Sequence, residues 1–165
     1  MFQKTIDFLA IGDIATDAFI KIKEANVHCV IDTNKCEICM NFGDKVPFEY
    51  VKVVKAVGNS SNAAVCASRL GLRTSFVTNI GNDQNGQDCL AELRKQKVGT
   101  SYVIKHNKMA TNYHFVLWYE VDRTILVNHV EYDYKFPKIS PAPSWIYLSS
   151  LASNTLPYHK ELALY

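Results

Sequence analysis

Between Gly58 and Gly99 the sequence alternates between two kinds of apolar pattern, and this constrains the fold more than any other feature. Gly58-Asn59-Ser60-Ser61-Asn62 is a turn that runs straight into a helix, with Asn59 or Ser60 as the expected N-cap. Ala63, Ala64, Val65, Ala67 and Leu70 give that helix a small-residue face, suited to close packing, and Gly71 is its expected C′ residue. Ser75 to Ile80 reads as a strand, and Gly81 to Gly86 as a loop. Gln87 to Lys97 reads as an amphipathic helix with Cys89, Leu90 and Leu93 on one face, ended by Gly99. A chain that alternates helix and strand at this spacing has to cover a sheet with helices, which makes it an α/β protein.

The flanks fit that scheme and add a second, β-rich component. Asp7 to Asp13 is a short apolar run closed by Gly12-Asp13, as in a buried first strand, and Ala18 to Ile22 continues in extended form. Val27 to Val54 is rich in Val, Ile, Phe and Tyr, with turns expected at Asp32-Thr33-Asn34 and at Gly43 to Pro47, so two or three antiparallel strands are expected there. Ser101–Lys105, Tyr113–Glu120 and Thr124–Asn128 read as further strands, with a tight hairpin turn at Asp122-Arg123. Tyr113, Phe115, Leu117 and Tyr119 form an aromatic stripe that suits a core strand better than a base-stacking site. Pro137 to Pro143 is a loop, Trp145 to Ser150 a buried strand, and Pro157 opens a last helix. The reading is an α/β layer sandwich with a separate small sheet.

Composition narrows the function classes. With 165 residues, 48% of them apolar and 21% charged, the chain can bury a real core and is neither disordered nor collagen-like. A net charge of +2 gives no footprint for nucleic acid or an anionic membrane. No apolar run approaches the ~20 residues of a membrane span, and the N-terminus does not read as a signal peptide. Five cysteines, an odd number without an export signal, argue for reduced thiols and a cytoplasmic location.

Three features in one order carry a resemblance. They are the first strand with Gly12-Asp13 and Asp17, the Val57 to Ala64 turn whose helix ends at Leu70-Gly71, and Thr78 to Gly86 leading into a helix. Together they resemble the N-terminal half of the PfkB-type carbohydrate kinases, the ribokinase-like family, over essentially residues 1–165. The resemblance implies a three-layer sandwich with a Rossmann-like central sheet flanked by helices and a small β-sheet lid, inserted at about residues 23–55. It also implies that the C-terminal half is missing, since the sequence ends at Leu162-Ala163-Leu164-Tyr165 inside a helix.

In the family, residues at the positions of Asp17, Gly58, Asn59 and Asn62 bind sugar or nucleoside hydroxyls. The residue types suit that role. A carboxylate accepts from two neighbouring hydroxyls, an amide donates and accepts, and Gly58 lets backbone approach a ligand. Val57 stands where relatives commonly carry a second glycine. Gly81, Asp83 and Gly86 also match, and there a structural role is expected, with positive φ for the glycines and a turn-bonding carboxylate.

The implied activity is transfer of the γ-phosphoryl of ATP, with Mg²⁺, to a hydroxyl of a sugar or nucleoside. The family's catalytic Asp lies in a Gly-Ala-Gly-Asp-type motif in the second half. No two of the seven glycines here are separated by a single residue, so that motif is absent and the chain alone is expected to be inactive. A lid of this type often pairs between subunits, which implies a homodimer for the complete protein. A non-catalytic sugar- or nucleoside-binding module is the alternative.

His28-Cys29 and Cys36-Glu37-Ile38-Cys39 form a separate cluster. A Cys-x-x-Cys with a further Cys and a His is compatible with tetrahedral Zn²⁺, which would make this a zinc-stabilised interaction domain. The competing readings are plain packing or thiols open to oxidation. Cys66 and Cys89 are expected to face the core.

Overall fold

A computed structural model of the chain describes residues 5–30 and 35–165. The turn expected at Asp32-Thr33-Asn34 falls outside the described residues. In order, the described elements are β1 (Phe8–Ile11), β2 (Ala15–Ile22), β3 (Asn26–Val30), β4 (Lys35–Cys39), β5 (Phe48–Val57), α1 (Asn59–Arg69), β6 (Thr74–Gly81), α2 (Gln84–Lys95), β7 (Val103–His106), β8 (Asn112–Tyr119), β9 (Asp122–Asn128), β10 (Trp145–Leu148) and α3 (Leu156–Ala163). They divide into two compact units. Unit 1 runs to Thr16 and takes in Lys55–Tyr113 and Asn128–Tyr165; unit 2 comprises Asp17–Val54 and His114–Val127.

Unit 1 is built on a parallel sheet in the order β10-β1-β6-β7. Side chains alternate across a strand, so neighbours on β1 go to opposite faces. Ala10 joins Phe76, Ile80, Ala64, Cys89, Leu90 and Leu93 in the cluster beneath α1 and α2. Leu9 and Ile11 join Val77, Ile139 and Tyr158 on the α3 side. The central strands β1 and β6 are therefore covered on both faces. By contrast β10, expected from the sequence to be a buried strand, lies at the sheet edge and is exposed along its length. Phe76 and Leu93 are fully buried; each such side chain contributes about 1.5–3 kcal/mol relative to exposure.

Both long helices end in the same way. At α1, the Gly71 amide donates to Ser68 O and the Leu72 amide to Ala67 O, with Gly71 at φ 94°. At α2, the Lys97 amide donates to Arg94 O and the Val98 amide to Leu93 O, with Lys97 at φ 59°. These are Schellman closures. The second is made by a lysine and not by Gly99, because Gly99 is already engaged with β6 through its amide to Thr74 O.

Unit 2 contains the hairpin of β3 and β4, with antiparallel register Asn26↔Cys39, Val27↔Ile38, His28↔Glu37 and Cys29↔Cys36. The remaining sheet has the order β5-β2-β8-β9. The turn between β8 and β9 falls at Glu120-Val121, two residues before the expected Asp122-Arg123, because Glu120 takes the positive φ (48°). Lys21 Nζ sits 4.5 Å over the Trp118 ring, and Tyr50 meets that ring edge-on. The aromatic stripe is not a core strand: on β8 only Asn112 and Val116 are buried, while Phe115 and Trp118 are exposed. Among the described residues no helix is long and apolar enough to cross a membrane.

Candidate functional site

In unit 1 the candidate residues gather where β1 ends and α1 begins. Gly58 is the N-cap of α1, a position the sequence suggested for Asn59 or Ser60. Its φ is 123°, and a Cβ there would stand 2.8 Å from the Asp13 carbonyl oxygen. Both conditions exclude a side chain, so the turn lies directly on the end of β1. The left-handed backbone falls at Ala56 (φ 57°) and Gly58, which leaves Val57 free to keep its side chain.

The first turn of α1 is held by its own serines. Ser60 Oγ donates to Ile11 O at 2.7 Å, and Ser61 Oγ donates to Ala56 O. Both serines are buried, and Gly12 makes room for Ser60, which a Cβ at residue 12 would strike. Asn59 and Asn62 are left exposed on the outer side of this turn. Asn59 Nδ2 donates to Ser150 Oγ at 2.9 Å, which fixes the amide and leaves its carbonyl oxygen to accept. The Asn62 amide N–H closes on Gly58 O at 2.8 Å. Its side chain has no hydrogen-bond partner among the described residues. A helix N-terminus with unused N–H groups and two exposed carboxamides can receive several hydroxyls at once.

Asp17 belongs to unit 2. It lies on β2, half-buried, and its Oδ1 is 3.1 Å from Nδ1 of His114 on β8. The other ring nitrogen of His114 is buried without a partner among the described residues.

A cluster with no local signal in the sequence sits beside the unit 1 group. Asp13, next to Gly12 at the end of β1, is buried. Its carboxylate is 2.6 Å from His129 Nε2 and accepts from the Tyr134 hydroxyl at 2.9 and 2.8 Å. Burial pushes the Asp13 carboxyl above its ordinary range, against the pull of His129 and Tyr134. Burial and the neighbouring Asp13 likewise push the Tyr134 phenol up, so it stays protonated and donates to that carboxylate. The partners lie 116 and 121 residues away in sequence, beyond any local pattern.

Gly81, Asp83 and Gly86 form a self-contained brace. Asp83 caps α2 through Gly86 N (2.8 Å) and accepts from the Thr111 amide and hydroxyl at 2.8 and 2.6 Å. Burial acts to raise the Asp83 pKa, and the hydrogen bonds from Thr111 and Gly86 outweigh it, holding the carboxyl low. Neither glycine is at positive φ; they are required because a Cβ at Gly81 would strike Met109 O and one at Gly86 would strike Gly81 O.

The cysteine cluster is not a zinc site. Cys29 and Cys36 are joined by a disulfide, so neither supplies a thiolate, and the expectation that all thiols are reduced fails at the same pair. The register places His28 and Cys39 on the face of the hairpin opposite that bond. Among the described residues no group of three His, Cys, Asp or Glu side chains is placed to hold a metal. Cys66 is exposed, contrary to its expected core position, while Cys89 is buried and its thiol is pushed up by that burial.

Comparison with known proteins gives these features a context. Residues 19–154 match the family model described as pfkB family carbohydrate kinase. The chain belongs to the pfkB family of carbohydrate kinases. A 5-dehydro-2-deoxygluconokinase of Geobacillus thermodenitrificans is 31% identical over 103 residues, covering 62% of this chain and 25% of that protein. A ribokinase of Cryptococcus neoformans, solved in complex with ADP, superposes with TM-score 0.67 at 17% identity over 97% of this chain and 44% of that one. An Arabidopsis thaliana ribokinase solved with ribose and ATP gives TM-score 0.60 at 19% identity, over 76% of this chain and 36% of its own length. At these identities the structural likeness establishes the ribokinase-like α/β fold. The matched segments of this chain cover 19–25% of the length of three curated relatives.

Proposed function

We propose that this chain is the substrate-binding part of an ATP-dependent kinase that phosphorylates a hydroxyl of a sugar or nucleoside. The observation that carries the reading is the turn at Gly58, which leaves no room for a side chain and presents Asn59 and Asn62 outward from a helix N-terminus. In this reading Asn59 and Asn62 of unit 1 receive acceptor hydroxyls, and Asp17 of unit 2, oriented by His114, is a candidate hydroxyl-binding carboxylate in its own unit. The cytoplasm, where sugars, nucleosides and ATP coexist, is the proposed location.

The residues present do not fit the phosphoryl donor. The chain has no Gly-x-Gly pair to form an anion hole, and its described residues offer no three-ligand group for Mg²⁺. ATP and Mg²⁺ are therefore assigned to the remainder of the kinase, and no step is derived through them. What this chain contributes is binding and orientation of the acceptor hydroxyl.

The test is a coupled ADP-release assay run against a panel of ribose, fructose phosphates, aminosugars and nucleosides. The full-length protein is expected to turn over at least one of them, and the 165-residue chain none. Turnover by the chain alone would place the whole catalytic apparatus within it and overturn the division of labour. A full-length protein that binds an acceptor without turning it over would support the non-catalytic alternative.

A further inference from the structure

We propose that Cys29 and Cys36 form a reversible thiol–disulfide site that sets the order of the β3–β4 hairpin. The exchange partner is a low-molecular-weight thiol/disulfide couple of the glutathione class. The two residues are directly opposed across the antiparallel ladder, with Cα atoms 4.0 Å apart and sulfurs bonded. Both are exposed. A thiolate from solution can therefore reach either sulfur, which it cannot do at buried Cys89.

The surroundings make the bond matter to the hairpin. Among the described residues β3 and β4 pair only with each other, and an isolated two-stranded hairpin is marginal in water. Val27 and Ile38, the next pair on the disulfide face, line a cleft of about 150 Å³ with Leu117 and Tyr119. That is little apolar cover, with Val27 still 51% exposed. The cross-link adds a covalent restraint to the ladder that holds the two strands in register.

The chemistry balances without any other group of the chain. A solution thiolate attacks one of the two sulfurs, the S–S bond breaks, and the second cysteine leaves as a thiolate. A second solution thiolate then displaces the first from the mixed disulfide. The protein gains two electrons and two protons, and the solution couple becomes a disulfide. Cys39 is close in sequence but on the opposite face of the ladder, beside Glu37, so it does not resolve the mixed disulfide.

The test equilibrates the 165-residue chain in glutathione buffers of graded ratio, quenches with acid, and counts N-ethylmaleimide labels by intact mass and peptide mapping. Cys29 and Cys36 are expected to gain their labels together in one transition as reduced glutathione rises. Exposed Cys39 and Cys66 each exchange singly with glutathione, seen as separate glutathione adducts and not as part of that transition. Cys39→Ser is expected to leave that transition in place. In parallel, amide exchange in β3 and β4 is expected to speed up on reduction, with β1 and β6 unchanged. Four results overturn the proposal. They are full labelling of Cys29 and Cys36 under oxidised glutathione, a bond that opens only in denaturant, a bond that includes Cys39, and hairpin exchange that does not respond to reduction.

Discussion

At the scale of single residues, the acid–base behaviour with the clearest sign is at Asp7. Arg73 donates to Asp7 Oδ2 from its backbone amide and from Nε, both at 2.8 Å, and closes a second contact on Oδ1. The Arg73 hydrogen bonds hold this carboxyl at about 2, below its ordinary 3.8. A depressed carboxylate contributes stability that is present above pH 3.8 and disappears as the pH falls toward 2. Asp7→Asn is therefore expected to unfold at lower urea than wild type at neutral pH, with the gap closing below pH 3.8. A gap independent of pH would contradict the assignment. Residues of this kind mark the limit of reading a sequence: Asp7 and Arg73 are 66 residues apart and Asp13 and His129 are 116 apart. Nothing local links either pair. The proposal for Asp17, Gly58, Asn59 and Asn62 rests on the set in its fixed order, since no one of these residues carries it alone. Oxidation was one of the readings open for the cysteine cluster, but the pairing was not legible, because counting cysteines says nothing of register, and register is what sets Cys29 opposite Cys36.

At the scale of elements, the ends of helices are where sequence and structure part. The bodies of α1 and α2 follow directly from the spacing of Ala64, Ala67, Leu90 and Leu93, all buried as their periodicity requires. The caps do not, because a cap is a backbone conformation and several residue types can adopt it. Gly71 closes α1 as expected, but at α2 the left-handed residue is Lys97, exposed and at φ 59°. A non-glycine residue held there costs roughly 1 kcal/mol. Lys97→Gly is accordingly expected to stabilise the protein by up to about 1 kcal/mol, read as a higher urea midpoint with an unchanged slope. A lower midpoint would mean that the lysine side chain contributes more than its backbone costs. The same logic explains the shifted hairpin: Glu120 carries the positive φ of the β8–β9 turn, a choice that sequence preference would have given to Asp122.

At the scale of the whole molecule, the distribution of exposed apolar surface bears on assembly. In unit 2, Phe48, Tyr50, Val51 and Val53 on β5 and Ile125, Leu126 and Val127 on β9 are all at least 43% exposed. These are the two outer strands of their sheet, and outer strands with apolar side chains are pairing sites unless covered. We therefore expect the complete protein to sediment as a dimer and Val51→Lys or Leu126→Lys to shift it toward monomer at equal concentration. A monomeric wild type would remove this expectation. The layered architecture itself was legible from the alternation between Gly58 and Gly99. The separation of Asp17–Val54 and His114–Val127 as one unit was not, because its two segments are joined in space and not along the chain.

The central claim is that the residues around Gly58 bind the hydroxyls of a small acceptor, with Asp17 proposed as a further substrate-binding residue. Titration calorimetry of the chain against the sugar and nucleoside panel tests it most directly. At least one compound is expected to bind saturably. Asp17→Asn should weaken that compound by ~1.5–3 kcal/mol, the worth of a charged hydrogen bond. Gly58→Ala should abolish its binding, because the added methyl group meets the Asp13 carbonyl. Binding that survives both substitutions unchanged would contradict the account.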